Sequence, residues 1–115
     1  MDKDISFNGI DTKIITFYGP KTNKGDLVKI TENCKVEKCG DDDEFIGIVV
    51  SKRGDYVGVQ TSGYAELPST PSAFTYGYEK MSSTGSNGIQ KSETELKPRL
   101  VVKKDSIRDI VGIIL

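Results

Sequence analysis

Apolar residues fall in short runs along the chain, separated by glycine, proline and polar clusters, and no stretch keeps a helical period. Lys13-Ile14-Ile15-Thr16-Phe17-Tyr18 predicts a strand that Gly19-Pro20 ends. Leu27-Val28-Lys29-Ile30-Thr31 alternates and sets Val28 and Ile30 on one face. Residues 33–38 predict a short second strand, and Gly40-Asp41-Asp42-Asp43-Glu44 an acidic turn. Phe45-Ile46-Gly47-Ile48-Val49-Val50 is continuously apolar, as expected of a strand covered on both faces. Lys52-Arg53-Gly54-Asp55 predicts a hairpin tip before the strand Tyr56-Val57-Gly58-Val59-Gln60-Thr61. A kink is expected at Gly63, and a surface loop over Pro68-Ser69-Thr70-Pro71-Ser72. Residues 74–83 alternate, which predicts Phe74, Tyr76 and Tyr78 on one side of the pleat. Asn87-Gly88 is a strong hairpin signal, with Ile89 opening the return strand. After the polar residues 91–98, Leu100-Val101-Val102 and Ile110-Val111-Gly112-Ile113-Ile114-Leu115 predict the last two strands, with a turn at Asp105-Ser106.

Two internal echoes stand out. Residues 43–50 match residues 108–115 in the form apolar, apolar, Gly, Ile, apolar, apolar, at an offset of 65. A weaker echo relates Gly25-Asp26-Leu27 to Gly77-Tyr78-Glu79. Together they predict a β-unit used twice, over about residues 24–63 and 74–115, with the C-terminal strand paired beside its stronger echo. A glycine in mid-strand has a mechanical reason, since it permits a bulge or a tight bend where a small barrel closes.

Composition sharpens the class. Twelve Ile, nine Val and nine Thr stand against two Ala and five Leu. β-Branched side chains suit a pleated surface and lose rotamer freedom in a helix. The expected fold is all-β: a small barrel or sandwich of two related β-units, residues 24–115, behind an extended N-terminal arm of residues 1–23. Sixteen basic and seventeen acidic side chains give a net charge of −1, which disfavours a strongly basic nucleic-acid binder. Apolar runs reach only six residues, too short for a helical membrane span. The opening Met1-Asp2-Lys3-Asp4 lacks the basic and apolar regions of a signal peptide, which predicts synthesis in a cytoplasm.

Candidate chemistry is sparse. Histidine is absent, which removes the commonest general base and the commonest metal ligand. Cys34 and Cys39 stand alone as a C-x4-C pair and read as two reduced thiols. The four adjacent carboxylates of residues 41–44 diverge, and a solvated turn is expected rather than a cation loop. Arg53-Gly54-Asp55 has the form of an adhesion tripeptide and reads as a plain turn. Tyr78-Glu79-Lys80-Met81 is similar to the modified-lysine hairpin of biotinyl and lipoyl domains, but Lys80 falls inside a predicted strand. A face carrying Lys13, Lys21, Lys24, Lys29, Lys52 and Arg53 with Phe17, Tyr18 and Tyr56 would suit an OB-like barrel binding nucleic acid or another partner. Interleaved acidic residues weaken that alternative. No enzymatic activity, cofactor or metal is expected.

The order of features then resembles a known family. It is carried by residues 24–29 (Lys-Gly-Asp-Leu-Val-Lys), 45–49 (Phe-Ile-Gly-Ile-Val), 54–60 (Gly-Asp-Tyr-Val-Gly-Val-Gln) and Gly63-Tyr64-Ala65. Tyr76-Gly77-Tyr78, Met81, Asn87-Gly88-Ile89 and residues 110–114 continue it in the second half. Over residues 24–115 the chain resembles the small capsid decoration, or cement, proteins of tailed phages. Pro68–Ala73 and residues 91–98 depart from that pattern, and residues 1–23 align with nothing in it. The resemblance implies a non-enzymatic all-β virion protein, made in the host bacterial cytoplasm, that binds the outer capsid surface. Its implied partner is the major capsid protein, with self-association on the shell as a further expectation. Aromatic anchors are common at interface centres. The interface candidates are therefore Ile5, Phe7, Ile10, Phe17 and Tyr18 in the arm, and Phe74, Tyr76 and Tyr78 in the second unit.

Overall fold

A computed structural model describes residues 12–92 and 97–115. The first five strands are β1 (Ile14–Tyr18), β2 (Leu27–Glu32), β3 (Lys35–Lys38), β4 (Gly47–Arg53) and β5 (Tyr56–Gln60). They close a barrel in the order β1-β3-β2-β4-β5. β1 pairs with β5 along its whole length, antiparallel, and touches β3 in parallel at Tyr18 and Lys35. A five-stranded barrel is narrow, so mainly compact branched side chains fill it: Phe17, Val28, Val36, Val49, Val57 and Val59.

The second half comprises β6 (Tyr64–Pro68), β7 (Gly77–Glu79), β8 (Met81–Ser83), β9 (Ile89–Lys91), β10 (Arg99–Asp105) and β11 (Ile110–Ile114). One four-stranded sheet runs β6-β11-β10-β7, and β8-β9 form a separate hairpin. A short 3-10 turn, Pro71–Ala73, lies between β6 and β7. A second core joins the halves: Leu27, Cys39 and Phe45 pack with Leu67, Phe74, Met81, Ile89, Val101, Val111 and Ile113. Leu27 and Val28 are adjacent on β2 yet enter different cores, so the start of this strand is buried on both faces.

The all-β expectation holds, and the chain is a duplicated unit. β1 pairs with β5 as β6 pairs with β11, and the hairpin β4-β5 matches the hairpin β10-β11. Both hairpins carry a bulge at the same place. The register slips between Val49 and Ser51 opposite Val59 and Gly58, and between Val101 and Lys103 opposite Ile113 and Gly112. Gly25 (φ +96°) precedes β2 and Gly77 (φ +103°) opens β7, so the fainter echo is the structural one. The end of β1 donates its Tyr18 N–H to the Cys34 carbonyl before β3. At the matching place Ser69, just after β6, donates its hydroxyl to the Ile89 carbonyl. The second unit thus repeats the connectivity of the barrel in open form, the strand that matches β2 being interrupted at Lys80 between β7 and β8.

Several expectations are corrected. Residues 14–18 belong to the barrel, so an arm cannot run to residue 23, and the repeats span about 14–60 and 64–114. β11 lies between β6 and β10, not beside its echo at residues 45–50, because β4 is matched by β10. Ile30 does not follow Val28 into the core. It is 53% exposed, where β2 shifts register on leaving the barrel. The acidic turn is not simply solvated. Its backbone docks on β8, with the Asp42 N–H donating to the Ser83 carbonyl (2.7 Å) and the Ser83 N–H to the Asp43 carbonyl (2.9 Å). Ser82 donates to the Asp42 carboxylate, and Lys29 pairs with Asp43 at 2.7 Å, holding its carboxyl below the usual range.

Asn87 ties the β8-β9 turn to the first unit. Its amide donates to Asp26 (2.9 Å) and its carbonyl oxygen accepts from the Leu27 N–H (3.3 Å). Its φ of +64° suits Asn better than other non-glycine residues. Asn87→Ala is expected to lower stability by about 1–3 kcal/mol in denaturant titration, because Asp26 and the Leu27 N–H each lose a partner.

Candidate functional site

Cross-strand register builds one outward face on the barrel. Arg53, Tyr56 and Tyr18 form one row across β4, β5 and β1, and Ser51, Gly58 and Thr16 the next. Ile14 follows on β1, opposite Gln60. Alternation sends Phe17, Val57 and Val59 inward, which leaves this face to residues that are not needed for the core. Tyr18 and Tyr56 meet edge to face at 5.6 Å. Ile14 is 57% exposed and Tyr56 58% exposed. Because Gly58 has no side chain, a groove of about 550 Å³ opens above it, bounded by Ile14, Thr16, Ser51, Arg53 and Tyr56. Exposed aromatic side chains held on paired strands lose little freedom when a partner covers them, as anchors do at interface centres.

The expected interface residues are scattered. Ile5, Phe7 and Ile10 lie outside the described residues. Phe17 is a barrel-core residue and Phe74 is 1% exposed in the core between the units, so neither is available to a partner. Tyr18 stands on the outward face just described. Tyr76 and Tyr78 are exposed, but they do not share a side with Phe74. Phe74 caps the 3-10 turn by donating its N–H to the Pro71 carbonyl, and the strand begins only at Gly77. Lys104 lies 5.3 Å from the Tyr76 ring centroid and donates to the Phe74 carbonyl. Sequence reading missed Ile14 as an exposed residue, and Ile107, 95% exposed in the turn between β10 and β11. A run of apolar strand residues carries no mark of which ones fall beyond the core.

Of the basic face expected for nucleic acid, Arg53, Tyr18 and Tyr56 come together in one outward row, whereas three others are engaged elsewhere. Lys29 is paired with Asp43, Lys52 donates to the Pro20 and Thr22 carbonyls, and Phe17 is buried. Among the described residues, no three Cys, Asp or Glu side chains gather to hold a metal ion.

A second cleft, about 570 Å³, runs between the units past Glu44, Phe45, Tyr78, Arg99 and Leu115. The Arg99 guanidinium lies 4.1 Å over the Phe45 ring and donates from Nη2 to the Phe45 carbonyl at 2.6 Å. Burial lowers its pKa, with Glu44 opposing the shift.

The thiols differ sharply. Cys34 is exposed in the β2-β3 turn, and Cys39 is buried, its pKa pushed up to about 11 chiefly by burial. An unfolded thiol ionises near 9.0, so the stability this group gives is whole below that pH and falls as the pH rises toward 11. A thiol reagent at about pH 8 is expected to label one cysteine in the native protein and both after denaturation, with mass spectrometry placing the first label on Cys34.

No family model matches the chain and no curated protein matches it, so what the site does is argued from its own residues.

Proposed function

We propose that the chain is a structural protein that binds the outer surface of an assembled phage capsid and stabilises the shell. The observation that carries this reading is the outward face of β1, β5 and β4, where Ile14, Tyr18 and Tyr56 stand exposed on strands held in the closed barrel. Such a face offers area for burial with little ordering cost. The described body extends 44 × 32 × 24 Å, long enough to lie across a seam between two coat subunits. A protein that binds assembled shells better than free subunits stabilises the shell by linkage, about 2.7 kcal/mol per site at a free concentration of a hundred times Kd.

Co-sedimentation with expanded shells of the major capsid protein from the same genome tests this. The chain is expected to pellet with shells, to raise their melting temperature, and to ignore single-stranded DNA at about 0.15 M salt. Binding to DNA and not to shells would replace this reading with a nucleic-acid-binding barrel.

A further inference from the structure

The two units carry the same bulge, but they cover it differently. In the second unit the Tyr64 side chain lies across Gly112: a Cβ built there would meet Tyr64 Cε1 and Lys103 Cβ, each at 2.9 Å. The Tyr64 hydroxyl donates to Glu66 at 2.7 Å, and Lys103 pairs with Glu66 at 3.2 Å. Tyr64 and Lys103 together hold the Glu66 carboxyl below its ordinary range. The second unit therefore covers its bulge glycine with a tyrosine and, two residues along the same strand, a carboxylate.

In the first unit the matching positions on β1 are Ile14 and Thr16, and Ser51 stands where the second unit has Lys103. Gly58 is approached only by small groups: a Cβ built there would meet the Ser51 hydroxyl, and Ile14 Cγ2 at 3.1 Å. Ile14 stays largely exposed, and the groove above Gly58 remains open. Arg53, exposed at the rim, supplies a cation one row along from Ser51, on the same side of β4.

The geometry points to this groove as a docking site for a tyrosine side chain of a protein partner, accompanied by a carboxylate two residues along an extended strand. The aromatic ring lies over Gly58 and the small Ser51 side chain, beside Ile14 and Tyr56, as the Tyr64 ring lies on Gly112. The carboxylate meets Arg53, as Glu66 meets Lys103. This deepens the capsid reading by naming the element its partner presents, and its peptide test stands apart from that reading.

The probe is the peptide acetyl-Tyr-Ala-Glu-amide, followed by amide shifts of the full chain. Saturable shifts confined to residues near 14, 53, 56 and 58 are expected, with Kd of about 1–10 mM. Arg53→Glu should weaken binding at least about fivefold, and a Gln in place of the peptide's Glu should do the same. Shifts that never saturate, that spread over the surface, or that ignore both changes overturn the site. The triple variant Ile14→Tyr, Thr16→Glu, Ser51→Lys copies the second unit's cover onto the first. It should fold, with unchanged strand pairing by NMR, lose the peptide, and pellet with shells at least about tenfold more weakly. If the wild type does not pellet at all, the capsid reading fails and the peptide result still decides the groove. If wild type and triple variant pellet alike, the groove proposal falls and the capsid reading stands.

Discussion

Phe45→Ala is expected to lower unfolding stability by about 3–5 kcal/mol in guanidinium titration, the range for emptying a large buried aromatic site. Phe45 is fully buried and stands where the two units meet, packed among side chains drawn from both. Its ring also supports the Arg99 guanidinium, whose Nη1 is buried without a hydrogen-bond partner among the described residues. Removing the ring leaves a cavity and takes away the face on which a buried cation rests. Domains of this size commonly hold about 5–15 kcal/mol in all, so this one change can approach the whole margin. Phe45→Leu keeps most of the volume and should recover about half of the loss, with the remainder reporting the ring's contact with Arg99. A loss below about 1 kcal/mol for Phe45→Ala would mean that this core is not the joint between the units.

Gly47→Ala should be nearly as damaging, by about 3 kcal/mol, although it adds only one methyl group. A Cβ there would collide with the Gln60 carbonyl oxygen and fall 2.9 Å from Val59 Cγ1. The obstacle is backbone of β5, which cannot swing aside as a flexible side chain could. Gly47 pairs with Val28, so β4 can move only by disturbing its register with β2 or β5. Gly25→Ala is the informative control. Nothing lies within 4 Å of its added Cβ, and the strain comes only from φ +96°. That variant should lose about 1–2 kcal/mol, and denaturant midpoints would rank the two.

The turns were the most legible part of this sequence. Gly54 and Asn87, both at positive φ, sit at hairpin tips where glycine and Asn-Gly signals place them. The β-branched composition gave the class because those side chains are stiff where strands need them to be. The duplication was visible but misaligned. The stronger echo matched Gly47 to Gly112 by residue identity, yet the former clears the Gln60 carbonyl and the latter lies beneath Tyr64. The true partner of Gly112 is Gly58, and only the bulge register reveals it. The strand over residues 13–18 was also legible, but not its closure on β5, 38 to 46 residues further along the chain. Phe74 and Tyr76 look alike in a one-dimensional alternation, and the 3-10 turn separates them into core and surface. Of the site, Tyr18 could be found from its type alone. The groove could not, because it depends on a missing Cβ on β5 flanked by β1 and β4.

The shared core has a consequence for how the protein comes apart. Leu27, Cys39 and Phe45 lie in the first unit but complete the interior of the second, so residues 64–115 alone would leave Leu67, Phe74 and Val111 open to water. The second half is not a self-sufficient folding unit, and the first, though its barrel has a core of its own, would expose Leu27, Cys39 and Phe45 without it. Heat should therefore dismantle both together in one cooperative transition, its calorimetric enthalpy equal to the van't Hoff value. Refolding should be slow for a chain this short, since β1 must find β5 and β6 must find β11 across the strands that lie between them in sequence.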